Sequence, residues 1–215
     1  MPPDVSADSP LTRAEVVVAG HLGDSETLLR GLADSDAMVR TAALGGLARI
    51  ERLTEVQLIR GLSDGETVVV RRSVELSGHE LASSALVDSH LLARAQGNDD
   101  DLAEVSVWAL GERWEERGNE AGADAILNVI EAAALRHADA LVREAAVAAL
   151  GSIGAERSIA VIIEAATDKA TVRRRAVIAL APFEGPEVDA ALAAAREDRD
   201  WQVRQAAEDL SDDPS

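Results

Sequence analysis

Five arginines in this 215-residue chain follow a valine at near-regular intervals: Val39-Arg40, Val70-Arg71, Val142-Arg143, Val172-Arg173 and Val203-Arg204. Leu102-Ala103 fills the same slot once, without the arginine, and the successive spacings are 31, 32, 40, 30 and 31 residues. A planar guanidinium can hold a carboxylate through two parallel bonds and still reach a backbone carbonyl. Aspartates stand six residues before two of these arginines, Asp34 before Arg40 and Asp198 before Arg204. Such residues do the chemistry of holding elements together, and that role is expected for Arg40, Arg71, Arg143, Arg173 and Arg204. A second group suits contact with another molecule. Trp108, Trp201, Arg174 and Arg175 are of the types over-represented at interaction hot spots, with Glu104, Glu144 and Arg72 beside them in the pattern.

Turnover chemistry finds little support. The chain has no cysteine, so thiol nucleophiles and thiolate metal sites are excluded. It carries no glycine-rich phosphate loop and no GxSxG elbow. The four histidines, His21, His79, His90 and His137, show no metal-ligand spacing, with His79-Glu80 and Asp88-x-His90 the nearest approaches. Asn98-Asp99-Asp100-Asp101 resembles part of a calcium loop but lacks the later glycine and the closing glutamate. A helix N-terminus accounts for that acidic run better. No catalytic residue, metal or cofactor is expected.

Charge narrows the partners. The formal net charge is −18, from 39 acidic against 21 basic residues, and Lys169 is the only lysine. A surface this acidic is repelled by phosphate backbones and by anionic membranes. Arg173-Arg174-Arg175 is the densest basic run, but no other repeat carries a comparable one, and nucleic-acid binding needs a continuous stripe. No nucleic acid and no membrane are expected. MPPDVSADSP has neither the charged nor the apolar region of a secretory signal, and no stretch approaches the ~20 apolar residues of a membrane span. The expected location is cytoplasmic.

These residues must be positioned by helices. Ala and Leu dominate the apolar 47 %, and no segment keeps a period of two for long. Self-similarity near 31 residues marks a stacked-repeat array rather than a compact core. Cap and turn signals predict a first helix behind Thr12 and then six pairs. The pairs are 25–33 with 37–50, 55–62 with 66–78, 83–96 with 100–116, 121–136 with 139–151, 155–166 with 169–181, and 186–196 with 200–210. Gly151 and Gly154 are read as helix ends, and Thr54 with Gln57 as a capping box. Residues 1–10 read as a disordered tail, 11–211 as one α-solenoid domain, and 212–215 as a second tail. About nine extra residues near 114–122 are expected to change the curvature between the third and fourth repeats.

LADSDAMVRTAALGGLARI, LVREAAVAALGSIG and REDRDWQVRQAAEDL resemble HEAT repeats. They are similar to the short bacterial kind also seen in phycobilin-lyase-like proteins. The resemblance spans about residues 24–210 and implies an all-α, right-handed α-α superhelix. It also implies that the recurrent arginines form a ladder between neighbouring units, and that the second helix of each pair lines the concave side. Outward positions there would include Arg72, Glu104, Trp108, Glu144, Arg174, Arg175 and Trp201, together with Val69 and Val105. The function so implied is a non-enzymatic interaction module or scaffold that binds an unidentified protein or peptide. Alternatives are an accessory lyase-like enzyme acting on a protein or cofactor, and a repeat protein that self-associates, for example as a homodimer through its ends. Some HEAT-like folds are DNA glycosylases, which need a basic groove and aromatic residues; a net charge of −18 and the absence of tyrosine argue against that reading. Nothing singles out bilin attachment.

Overall fold

The recurring unit is a pair of antiparallel helices. In the computed structural model, which describes residues 10–78, 84–117 and 122–212, thirteen α-helices and one 3-10 turn account for the regular structure. No strand occurs among the described residues. An initial helix, α1 (Arg13–Leu22), precedes six pairs. These are α2 (Ser25–Gly31) with α3 (Ala37–Arg49), α4 (Glu55–Leu62) with α5 (Thr67–Ser77), and α6 (Ala85–Ala95) with α7 (Asp100–Arg117). Then follow α8 (Ala123–Arg136) with α9 (Ala140–Ile153), α10 (Ile159–Ala165) with α11 (Ala170–Ala179), and α12 (Pro186–Arg196) with α13 (Trp201–Asp212). The helix expected at 155–166 is divided, a 3-10 turn over Glu156–Ser158 leading into α10. Among the described residues the chain is all-helical, a succession of the helix pairs that the repeat pattern predicts.

Local chemistry starts the helices where the sequence signals it. Thr12 and Glu15 close a capping box on α1, and Thr54 and Gln57 close one on α4. Asp36 and Asp139 accept backbone N–H bonds at the heads of α3 and α9. Asp99 does the same for α7 by accepting from the Leu102 N–H at 3.1 Å, which accounts for part of the acidic run there. Pro186 is the first residue of α12, where a missing N–H costs nothing.

The chain divides within the first turn of α6 into two compact units, residues 1–87 and 88–215. In the first, α1, α3 and α5 pack side by side with α2 and α4 behind them. In the second, α7, α9, α11 and α13 form the corresponding row, with α8, α10 and α12 behind. Five of the six second helices bury their third residue: Val39, Val69, Val142, Val172 and Val203 are at most 1 % exposed, whereas in α7 the third residue, Leu102, is half-buried and the next, Ala103, is fully buried. Full burial of such a side chain contributes about 1.5–3 kcal/mol, so this register fixes each helix's rotation about its axis.

Small residues set the spacing. A Cβ on Gly31 would lie 3.0 Å from the Ala43 Cβ, so α2 and α3 are in close approach. Gly151 is not a helix end. It lies inside α9 where a Cβ would come within 2.7 Å of Ala179, so it sets the approach of α9 to α11. Gly154 does end the helix, at φ 65°. The extra residues near 114–122 begin as the last turn of a lengthened, 18-residue α7. Residues 118–121, like the tails at 1–9 and 213–215 and the His79-Glu80 pair, lie outside the described residues.

Candidate functional site

Three of the recurrent arginines sit in one geometry. Arg40 grips Asp64 with Nε and Nη2 at 2.9 and 2.7 Å and donates from Nη1 to the carbonyls of Asp34 and Ser35. Arg143 grips Asp168 and donates to the carbonyls of His137 and Ala138. Arg173 grips Asp198 at 2.8 and 2.7 Å and donates to the Asp168 carbonyl. The carboxylate therefore comes from the following pair, 24 or 25 residues on. The aspartate six residues before Arg40 contributes its backbone carbonyl, while its carboxylate accepts the Asp36 N–H. Hydrogen bonds from the arginines hold the carboxyls of Asp64, Asp168 and Asp198 below the usual aspartate range, against an opposing cost of burial.

Arg71 departs from this pattern. The rung arginines are the fourth residues of their helices, whereas Arg71 is the fifth of α5. One residue turns a side chain by about 100°. Val69 takes the buried third position and Val70, 6 % exposed, takes the arginine's place. Arg71 instead pairs at 3.3 Å with Glu75 on its own helix. Arg204 keeps the carbonyl bond, to Asp198 at 2.7 Å, and grips no carboxylate among the described residues.

The outward faces of the second helices carry the other candidates. In the second unit, Glu104, Glu144, Arg174 and Gln205 are each two residues beyond the third residue of their helices, and Trp108, Ala148, Ile178 and Asp209 are each six beyond it. These two columns run across α7, α9, α11 and α13. Trp108 is 39 % and Trp201 65 % exposed. Arg175 reaches Glu144 at 3.4 Å, joining α11 to α9. Arg174 is exposed and has no hydrogen-bond or ion-pair partner among the described residues.

Arg174 and Trp201 meet at a groove of about 460 Å³ between α11 and α13, over Ile178, Ala206 and Leu210. Gln202, Gln205 and Asp209 complete its rim, and Gln205 donates to Asp209 at 2.7 Å. On the other side of Ile178 lies a shallow hollow of about 520 Å³ between α9 and α11, lined by Ala148, Gly151, Arg175 and Pro182 among others. Ile178 is the ridge shared by the two. Arg72 belongs to the first unit, where its guanidinium lies across Gly45 and pairs with Glu75 at 3.1 Å. Val69 and Val105 are not outward; they are 1 % and 8 % exposed.

Sequence reasoning missed the groove floor and rim at Asp209 and Leu210, although Asp209 falls at the register of Trp108 and Ile178. It also missed Arg113. This side chain is wholly buried in α7 and donates from Nε to Asp88 of α6 at 2.6 Å. No periodic signal marks either partner. Among the described residues, no group of three His, Cys, Asp or Glu side chains is placed to hold a metal ion, and no helix is long and apolar enough to cross a membrane.

The family model described as HEAT repeats matches residues 89–181 and 127–211. The crystal structure of YibA from Escherichia coli is similar in fold, with a TM-score of 0.65 at 17 % identity, over 96 % of this chain and 75 % of that one. No curated protein matches the chain in sequence.

Proposed function

The chain belongs to the HEAT-repeat family, and we propose that it holds a partner protein or peptide on the outward face of its second helices, without a catalytic step of its own. HEAT arrays serve interaction and scaffolding, and an array offers an extended surface. The observation that carries the reading is the α11–α13 groove. It places an exposed tryptophan over an apolar floor beside Arg174, which has no ion-pair partner among the described residues, whereas its two neighbours on α11, Arg173 and Arg175, are already paired. Anchors of this kind supply most of the energy of an interface. Trp108, Glu104 and Glu144 extend the same face across α7 and α9, and Arg72 offers a separate contact in the first unit.

Affinity capture tests the proposal, with wild type run beside Trp201→Ala/Arg174→Glu of matched thermal melting. The expected result is a protein retained by wild type and lost by the variant. Equal retention of the same proteins would place the docking surface elsewhere. Self-association is the second reading, and α1 favours it: Val18 and Leu22 of this helix are 53 % and 78 % exposed. Sedimentation over a concentration series separates the two readings, since a constant monomer mass would exclude it.

A further inference from the structure

We infer that the α11–α13 groove selects a partner segment presenting one bulky apolar side chain beside a carboxylate. This deepens the docking reading above and rests on it. The apolar part follows from the floor. The half-buried Ile178 and Leu210 and the buried Ala206 form an apolar floor beside Trp201, in a hollow of about 460 Å³ with room for a bulky apolar side chain.

The carboxylate follows from what the neighbouring arginines already hold. Arg173 is locked on Asp198 with both edges of its fork, and Arg175 faces Glu144. Between them Arg174 is exposed at the groove and holds no carboxylate among the described residues. Arg40, Arg143 and Arg173 show what the guanidinium fork takes in this fold: an aspartate carboxylate, gripped by Nε and Nη2. A partner's carboxylate at Arg174 would repeat that chemistry between molecules.

The surroundings narrow the ligand further. Asp209 stands on the opposite rim, tied to Gln205. Glu144 and Glu104 continue the Arg174 column toward α9 and α7. The positive site is therefore a single guanidinium bounded by acid, which suits one carboxylate and disfavours a dianionic phosphate that calls for several cations. It also gives the occupant a direction, with acid at Arg174 and neutral or basic residues toward Asp209.

The test is a titration of the full chain, followed through tryptophan indole resonances, with the Trp201 signal assigned by Trp201→Phe. The probes are short acetylated, amidated peptides with a central Leu-Glu, Leu-Gln, Leu-Lys or Leu-phosphoserine. The expected result is a shift of the Trp201 indole with the Leu-Glu peptide. The Leu-Gln peptide should bind about three- to fivefold more weakly, the range an exposed ion pair supplies. Arg174→Gln should abolish that preference, Arg175→Gln should leave it, and added salt should shrink it. Equal binding of the Glu and Gln peptides, preference for Lys or phosphoserine, or no shift at millimolar peptide would each overturn the inference. If captured partners still depended on Trp201 in that case, the docking reading would stand and only the choice of ligand would fall.

Discussion

Arg143 holds Asp168 through both edges of one guanidinium, Nη2 to Oδ1 at 2.9 Å and Nε to Oδ2 at 2.5 Å, across 25 residues of sequence. The third nitrogen of the fork is bound to the carbonyls of His137 and Ala138 in its own turn. One side chain thus fastens the turn that precedes α9 to the turn that follows α10.

Breaking this contact should therefore loosen two repeats together. Arg143→Gln is expected to lower unfolding stability by about 2–3 kcal/mol, since it removes charge-assisted bonds and leaves carbonyls and a carboxylate poorly satisfied. Arg71→Gln should change it by less than about 0.5 kcal/mol, because its pair with Glu75 is exposed. Urea denaturation of the two variants beside wild type checks both. Equal losses would contradict the distinction between a rung and a surface pair.

The same contacts predict a pH dependence with a definite sign. Asp168 titrates below its ordinary 3.8 because Arg143 donates to its charged form. Its contribution is fully present above that value and is lost as the pH falls through the lower folded-state value. The stability gap between wild type and Asp168→Asn should then be constant above about pH 5 and shrink below 3.8. Denaturant midpoints at stepped pH measure it. A gap that widens toward acid would contradict the pairing.

Much of the fold was legible because periodicity reports burial directly. Val39, Val142, Val172 and Val203 could be aligned from spacing alone, and caps such as Thr12 and Asp36 bounded the helices around them. Repeat two shows the limit. One extra residue in its turn made Val70-Arg71 look like the register pair, whereas Val69-Val70 occupies it. Rotation about a helix depends on where its first turn begins, and the glutamate before α5 makes no side-chain cap that would have marked the start. The rung partners were also hidden. Asp34 stands near Arg40 in sequence, but the carboxylate that reaches the guanidinium belongs to Asp64, and only the stacking of pairs brings it there. Arg174 and Trp201 were legible by residue type; the groove that joins them depends on the packing of α13 on α11.

Close helix approach at Gly151 gives a steric prediction. A Cβ there would lie 2.7 Å from both the Cα and Cβ of Ala179. Gly151→Ala should cost about 1–3 kcal/mol by forcing α9 and α11 apart. Gly65→Ala, where nothing lies within 4 Å, should be neutral or stabilising by up to about 1 kcal/mol. Thermal melts of the pair decide, and a harmless Gly151→Ala would mean that α9 and α11 are not held this closely.

The buried pair of Arg113 and Asp88 should respond differently to single and double replacement. Arg113→Met takes the guanidinium away from the almost wholly buried Asp88 carboxylate, at an expected cost of about 3–5 kcal/mol. Arg113→Met/Asp88→Leu should recover a large part of that loss. A double variant no more stable than Arg113→Met would show that the charges are not acting on each other.

Docking on the outward face of the second helices can be trapped by site-specific photo-cross-linking. A benzoylphenylalanine placed at Gln202, on the groove rim, is compared with one at Ala193, exposed on the first-helix side of the last pair. A discrete adduct with a partner protein is expected from position 202, lost on Arg174→Glu, and none from 193. Adducts from 193 alone, or equal adducts from both positions that persist in Arg174→Glu, would contradict docking on that face.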